Sequence, residues 1–402
     1  MKLVQFGAGN IGRSFIGQLF GRAGWEVVFV DVDSRIVDGL NARGRYTVEV
    51  RDRRPETLVV EHVRGVHGED LDRVAEEIAG ADLAATAVGK NALPHIMKPL
   101  TLGLERRMAQ APRPLDIIIA ENVHDAAGLF RSSLEELLPA SFPLDQVGLV
   151  ETSIGKMVPI MPREDREKDP LLVYAEAYNT LIVDRTGFRG PVPRVPGLEP
   201  KDNIRPWVDR KLFIHNMGHA VMAYTGHLFG GGYRYIWEAA EDPAIRTVTR
   251  RAMEESGRAL VSRYPGELTP GSMDEHIRDL LDRFANRALG DTIYRVGRDL
   301  YRKLGPEDRL VGAMTLCARE GIRPAHIALG TACALFFREP GEDGLLYEGD
   351  RAFHREELSR GVDHVLEKVC GLADPALAGM VKEVYQKIQQ GARSPDQALG
   401  GT

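Results

Sequence analysis

The sequence predicts an α/β fold class: an N-terminal parallel-sheet domain with extra strands, followed by an all-helical C-terminal domain. Three observations carry that prediction. Before about residue 195, short runs rich in valine and isoleucine alternate with helical patterns; a proline-rich passage, GPVPRVPGLEP, intervenes between Gly190 and Pro200; beyond it apolar residues recur at three- and four-residue intervals. The break divides the chain into residues 1–195 and 196–402.

In chain order the strand-like runs are KLVQF, EVVFVD, DLAATAV, DIIIA and VGLVE. Runs this apolar imply parallel strands covered on both faces. KMVPIM, LLVYAEAY and TLIVD follow and read as an extension of the same sheet. In the second part the helical periods cover 205–228, 243–263, 273–287, 307–320, 324–338, 355–369 and 374–390.

At 402 residues and 43% hydrophobic content, the chain can bury a substantial core, and its length favours two domains. A net charge of −6 and a pI near 6.0 argue against broad attraction to nucleic acid or anionic lipid, so a phosphorylated ligand requires a local basic cluster. Cys317, Cys333 and Cys370 are odd in number and lack C-x-x-C spacing, which suits reduced thiols with a structural role. Glycines interrupt MKLVQFGAGNIG before a signal-peptide core forms, and the longest later apolar run, around Ile327 to Phe337, is too short to span a bilayer. A soluble cytoplasmic protein is expected, monomeric or a small homo-oligomer, with a small-molecule ligand.

Gly7, Gly9 and Gly12 supply G-x-G-x-x-G directly after KLVQF and before the helical stretch Ile11 to Ala23. The first glycine permits a tight turn, the second lets a pyrophosphate approach the backbone, and the third allows close helix–strand packing. Asn10 and Ile11 lie within the loop and join it as candidate contacts. EVVFVD ends at Asp31, near the distance of about twenty residues at which an acid meets the ribose hydroxyls. Strand, turn, helix and acid in that order predict a Rossmann-type site. A carboxylate there would repel a 2′-phosphate, so NAD is favoured over NADP. Asp33 competes for the same role.

Gly89, in VGKN, and Asn122, in ENVHD, follow strand-like runs and sit where an open parallel sheet presents its ligands. Asn122 can donate its amide to a substrate oxygen; it equally suits a helix cap or a turn.

The segment DRKLFIHNMGHA carries Lys211, Asn216 and His219. On a helix of about 100° per residue these share an arc of about 140°, so one face offers an amine base, an amide donor and an imidazole to a bound alcohol. Alone, the pattern also suits an amphipathic helix with a solvated lysine. The glycine loop on the same chain tips the reading toward alcohol oxidation, in which the hydroxyl loses a proton as the carbon loses a hydride. A lysine partly desolvated in a cleft has its pKa lowered toward neutrality. The reaction is then expected in a cleft between the sheet and helical domains.

His215 and His219, spaced i, i+4, can ligate zinc, but no glutamate follows His215 and no cysteine cluster adds ligands. No metal is expected. Arg295, Arg298, Arg302 and Lys303 cluster in YRVGRDLYRKL, where guanidinium groups can grip phosphate or simply form a solvated basic face.

These motifs together resemble the polyol-specific long-chain dehydrogenases, and within them the mannitol-1-phosphate branch. The resemblance runs over nearly the whole chain: FGAGNIGRSFIG, FVDV, TAVG, AEN, a strand ending in IVD, RKLF..N.GHA, AMEESG..L..RY and RVGR...RKL...DRL. The K-x-x-x-x-N-x-x-H spacing is its specific signature. The resemblance implies a metal-independent, NAD-linked enzyme interconverting mannitol 1-phosphate and fructose 6-phosphate. In it Lys211 is the general base, Asn122 and Asn216 hold the reacting oxygen, and His219 orients the substrate. It also implies phosphate contacts from Arg302 and Lys303, with Arg298 beside them, since relatives acting on unphosphorylated mannitol carry an uncharged residue at the position of Arg302. Gly155 and Lys156 stand where the family shows an aspartate–arginine pair, and His215 replaces an apolar residue. Those departures keep open an unphosphorylated polyol or a hexuronate as substrate, as in mannitol 2-dehydrogenase or tagaturonate reductase. A non-catalytic NAD(H) sensor is the alternative of a different class.

Overall fold

The computed structural model describes residues 1–123 and 125–401, which form two compact units: Met1–Arg205, and a second from Pro206 onward. The strands are β1 Lys2–Phe6, β2 Glu26–Asp31, β3 Arg45–Val50, β4 Glu56–Glu61, β5 Val63–His67, β6 Leu83–Thr86, β7 Leu115–Ile119, β8 Val147–Ile154, β9 Val173–Ala175, β10 Leu181–Asp184 and β11 Leu198–Lys201. Eight of them form one sheet in the order β11-β10-β8-β7-β6-β1-β2-β5. Its pairings are parallel except β8 with β10.

Side chains alternate across this sheet, and both faces are covered. Leu3, Val27 and Phe29 meet Phe15, Ile16 and Phe20 on one face, while Val4, Phe6, Val28 and Val30 meet Val74, Ile78, Leu100 and Leu104 on the other. That double burial is why these strands read as nearly continuous apolar runs, with Gln5 and Thr86 the buried polar exceptions in β1 and β6.

A second sheet, β4-β3-β9, adds Tyr46, Val48, Val60 and Val173 to the first of these cores. The run LLVYAEAY contributes β9 to this small sheet, parallel to β3, and so does not extend the large one. KMVPIM forms no strand: Pro159 lacks an N–H, and the N–H of Met157 goes to the Glu176 carboxylate. TLIVD does extend the large sheet as β10, antiparallel to β8. Because β11 pairs with β10, residues 196–205 stay with the sheet rather than with the helices that follow.

The second unit surrounds the helix Met217–Phe229, which is buried on nearly all sides and packs against helices Pro243–Arg263 and Ala325–Ala334. Among the described residues no helix is long and apolar enough to cross a membrane.

Candidate active site

In the sheet unit, β1 pairs with β2 on one side and β6 on the other, so the chain's winding reverses at β1. Ligands of open parallel sheets lie beyond the strand ends at such a point. Two loops meet there. Gly7 adopts φ +89°, and a Cβ on it would lie 2.4 Å from the Ala87 carbonyl oxygen; a Cβ on Gly12 would lie 2.0 Å from the Gly7 carbonyl oxygen. Both positions therefore require glycine. At Gly9 nothing lies within 4 Å of a Cβ, so the loop is open on that side, beside the helix that starts with Asn10 and Ile11. A pyrophosphate fits such a gap against the first-turn N–H groups. The loop is braced from behind by Arg13, which is buried and donates from Nε to the Ala8 carbonyl (2.6 Å) and from its guanidinium to the Pro170 carbonyl (2.8 Å).

Asp31 and Asp33 are sorted by their partners. The Asp31 carboxylate accepts from the Ala8 N–H (2.6 Å) and the Asp33 N–H (3.0 Å), which holds it against the glycine loop. Asp33 caps the helix Ser34–Arg43 and is ion-paired with Arg35 at 2.7 Å. The residues at the β1 and β2 ends thus fit a dinucleotide.

Gly89, at φ +82°, lies in the loop after β6. Its N–H and that of Val88 are both held at 2.8 Å by the buried Glu121 carboxylate, which stands just after β7. Asn122 is exposed and adjoins that clamp; it does not cap the next helix, Ala126–Leu137, whose cap position is Asp125. Lys156 is buried, donates to Asn179 at 2.9 Å and lies 5.1 Å over the Phe15 ring, while a Cβ on Gly155 would sit 3.3 Å from the Tyr178 hydroxyl.

In the helical unit the signature segment is not a continuous α-helix. Arg205–Arg210 is α-helical, Lys211–Asn216 forms a π turn, and Met217–Phe229 resumes the α-helix. The Met217 N–H reaches the carbonyl of Leu212, five residues back. A wider turn brings residues five apart to one side, so Lys211 and Asn216 stand closer in azimuth than an α-helix would put them. Single π turns are frequent at functional sites.

Lys211 is half-buried, and its ammonium is disfavoured first by burial and then by the charge of Arg309, which together lower its pKa to about 8. His219 stacks on Phe284 with ring centroids 4.5 Å apart and planes 7° apart, and its Nε2 lies 3.8 Å from the buried carboxylate of Asp291. Burial, with Arg295, Arg309, Lys303 and Arg283 nearby, holds the His219 pKa well below its ordinary value. His215 is buried 6.3 Å from His219 between ring centroids and is likewise held neutral, by burial first. Among the described residues no three His, Cys, Asp or Glu side chains gather as metal ligands.

The basic loop is tied down from several sides. The Tyr224 hydroxyl donates to the Gly297 carbonyl at 2.8 Å. Asp299 sits at φ +75°, uncommon for a residue with a side chain, while buried Asp350 accepts from its N–H (3.1 Å) and from that of Leu300 (2.8 Å). Arg298 is exposed and lies 5.4 Å over the Tyr294 ring. Arg302 is half exposed and donates from Nε to Asp299 at 2.5 Å. Lys303 differs from its neighbours: only 3% exposed, it donates to the Arg298 carbonyl, and burial followed by Arg309 and Arg302 lowers its pKa to about 7. Arg295 pairs with Asp291.

Sequence reasoning passed over Glu121, Phe284, Asp291, Arg309 and Asp350. Each acts through a partner remote in the chain or a loop neighbour, and no local spacing announces them. The motifs held two signals: Glu121 lies in AEN beside Asn122, and Arg309 lies in the DRL of RVGR...RKL...DRL.

A family model described as the mannitol dehydrogenase Rossmann domain matches residues 1–197, and one described as the mannitol dehydrogenase C-terminal domain matches residues 203–389. The chain is 38% identical to mannitol-1-phosphate 5-dehydrogenase of Brevibacillus brevis over 343 residues, 85% of this chain and 87% of that one. It is 36% identical to the Bacillus licheniformis protein of the same name over 381 residues, covering 93% and 96%. Among solved structures, a substrate-free D-sorbitol dehydrogenase matches with TM-score 0.81 at 16% identity, over 99% of this chain and 94% of that chain. Pseudomonas fluorescens mannitol 2-dehydrogenase, in complex with NAD and D-mannitol, matches with TM-score 0.76 at 16% identity, over 99% and 93%. At that identity the structural matches speak to fold alone.

Proposed function

We propose, for a chain that belongs to the mannitol dehydrogenase family, that it is an NAD-dependent oxidoreductase interconverting D-mannitol 1-phosphate and D-fructose 6-phosphate with Lys211 as general base. The carrying observation is the amine of Lys211, desolvated to a pKa of about 8 on a π turn that also bears Asn216, with His219 one turn on. A general base works best when its pKa lies near the operating pH.

In the oxidation direction, neutral Lys211 takes the proton of the secondary hydroxyl. The amide of Asn216 donates to the oxygen as negative charge grows on it, and Asn122 is assigned the same role. His219, uncharged and fixed by its stack on Phe284, hydrogen-bonds a neighbouring hydroxyl and sets the sugar's orientation. NAD, when bound, supplies the hydride acceptor. Gly7, Gly9, Asn10, Ile11 and Gly12 would hold its pyrophosphate, Asp31 a ribose, and Gly89 the nicotinamide side. Arg302, Arg298 and Lys303 are assigned to the substrate phosphate. Lys303, being buried, serves it by closing the loop onto the Arg298 carbonyl and gains a proton as the dianion arrives.

Initial rates with NADH and fructose 6-phosphate, fructose or tagaturonate test this reading. A kcat/KM at least a hundredfold higher for fructose 6-phosphate is expected. A preference for fructose or tagaturonate would move the enzyme to another substrate, and no turnover of any of the three, with NADH still bound, would favour a sensor.

A further inference from the structure

We propose that Arg309 is a substrate-binding residue and forms, with Arg302, a two-guanidinium site for a phosphate monoester; this rests on the phosphate reading above. One carboxylate spaces the pair. Asp308 accepts from Arg309 Nε at 2.7 Å through Oδ1, and its other oxygen lies 4.0 Å from a terminal nitrogen of Arg302. Arg302 is anchored in turn through its own Nε on Asp299. Both arginines are therefore fixed by Nε, and among the described residues the terminal nitrogens of Arg309 have no hydrogen-bond acceptor. With its side chain only 12% exposed, Arg309 keeps little water around a donor fork that an external anion can complete. Two such forks grip the oxygens of one phosphate in the bidentate manner that lysine cannot provide.

The surroundings agree. The charge of Arg309 bears on Lys211, His219 and Lys303, which places it where the base, the imidazole and the basic loop converge. The acids at hand are already engaged: Asp299 and Asp308 with the two Nε groups, Asp350 with backbone N–H groups.

The test compares Arg309→Gln and Arg309→Lys with the parent enzyme, using NADH affinity to confirm folding. Losing a charge-assisted fork should raise KM for fructose 6-phosphate about 30-fold more than KM for fructose. Inhibition by inorganic phosphate should weaken by a similar factor. Arg309→Gln should also raise the apparent pKa of the basic group in the pH profile, since a repelling charge on Lys211 is gone. Arg309→Lys should restore that pKa but not the phosphate affinity, a split no general loss of packing produces. If the parent prefers fructose 6-phosphate and is inhibited by phosphate, yet both variants keep that preference and inhibition, Arg309 is no phosphate ligand. If the parent itself shows neither, the phosphate reading falls and this one with it.

Discussion

Replacing Glu121 with alanine removes, in one step, the acceptor for two backbone N–H groups in the loop assigned to the nicotinamide side of the cofactor. The carboxylate holds Val88 and Gly89 at 2.8 Å each. A hydrogen bond to a charged group contributes about 1.5–3 kcal/mol when both partners are buried. Here Gly89 is exposed and Val88 half-buried, so water replaces part of what is lost, and roughly 2 kcal/mol for the pair is the fitting scale. If the loop shape that receives NADH is disfavoured by that amount, apparent NADH affinity falls by up to about 30-fold. Glu121→Gln keeps the shape and one acceptor oxygen and should fall between parent and alanine variant. Fluorescence titration of NADH reads the effect, with thermal unfolding alongside to separate a local change from a global one. An NADH affinity within twofold of the parent in Glu121→Ala would refute the clamp.

Three further outcomes are expected. Gly9→Ala should fold with an unchanged melting temperature, since its Cβ meets nothing, yet bind NADH more weakly; Gly12→Ala, with a Cβ 2.0 Å from the Gly7 carbonyl, should lose stability as well, and equal melting temperatures for the two would contradict the loop geometry. Asp350→Asn turns one acceptor toward N–H groups into a donor and loosens strained Asp299, so KM for the phosphorylated substrate should rise roughly tenfold while NADH affinity holds; a matched loss in both would mark Asp350 as purely structural. Burial opposes the charge of Glu77, but hydrogen bonds from Arg64 and Lys2 outweigh it and hold its pKa at about 2. A depressed carboxylate pKa stabilises the fold above its unfolded value of 4.5, and that contribution drains away as pH falls from there toward 2. Glu77→Gln should therefore flatten the loss of stability between those pH values in urea unfolding, and an unchanged acid limb would count against the network.

The glycine loop, Asp31 and the large parallel sheet were legible because each rests on a local pattern: turn chemistry at Gly7 and Gly12, and double burial of β1, β2, β6 and β7. The small sheet was not, since RYTVEV and ETLVVE alternate apolar and polar residues and find partners only in each other and in β9. The spacing singles out Lys211, Asn216 and His219 as candidates, but the π turn that carries the first two is invisible in it, because it depends on backbone bonds that no residue type announces. Asp31 and Asp33 differ only by what their carboxylates meet in space. The same holds for Lys303, which reads as one more surface cation beside Arg302 and is instead buried under Arg298.

The pH dependence of kcat/KM for mannitol 1-phosphate oxidation, measured for the parent and for Lys211→Ala, tells whether the Lys211 amine takes the hydroxyl proton. The parent should lose activity below an apparent pKa near 8, in step with protonation of Lys211. The variant should lose at least about a hundredfold in kcat, with NADH affinity unchanged and that limb gone. A Lys211→Ala enzyme that turns over at the parent's rate, or keeps the same pH limb, would show that the proton leaves by another group.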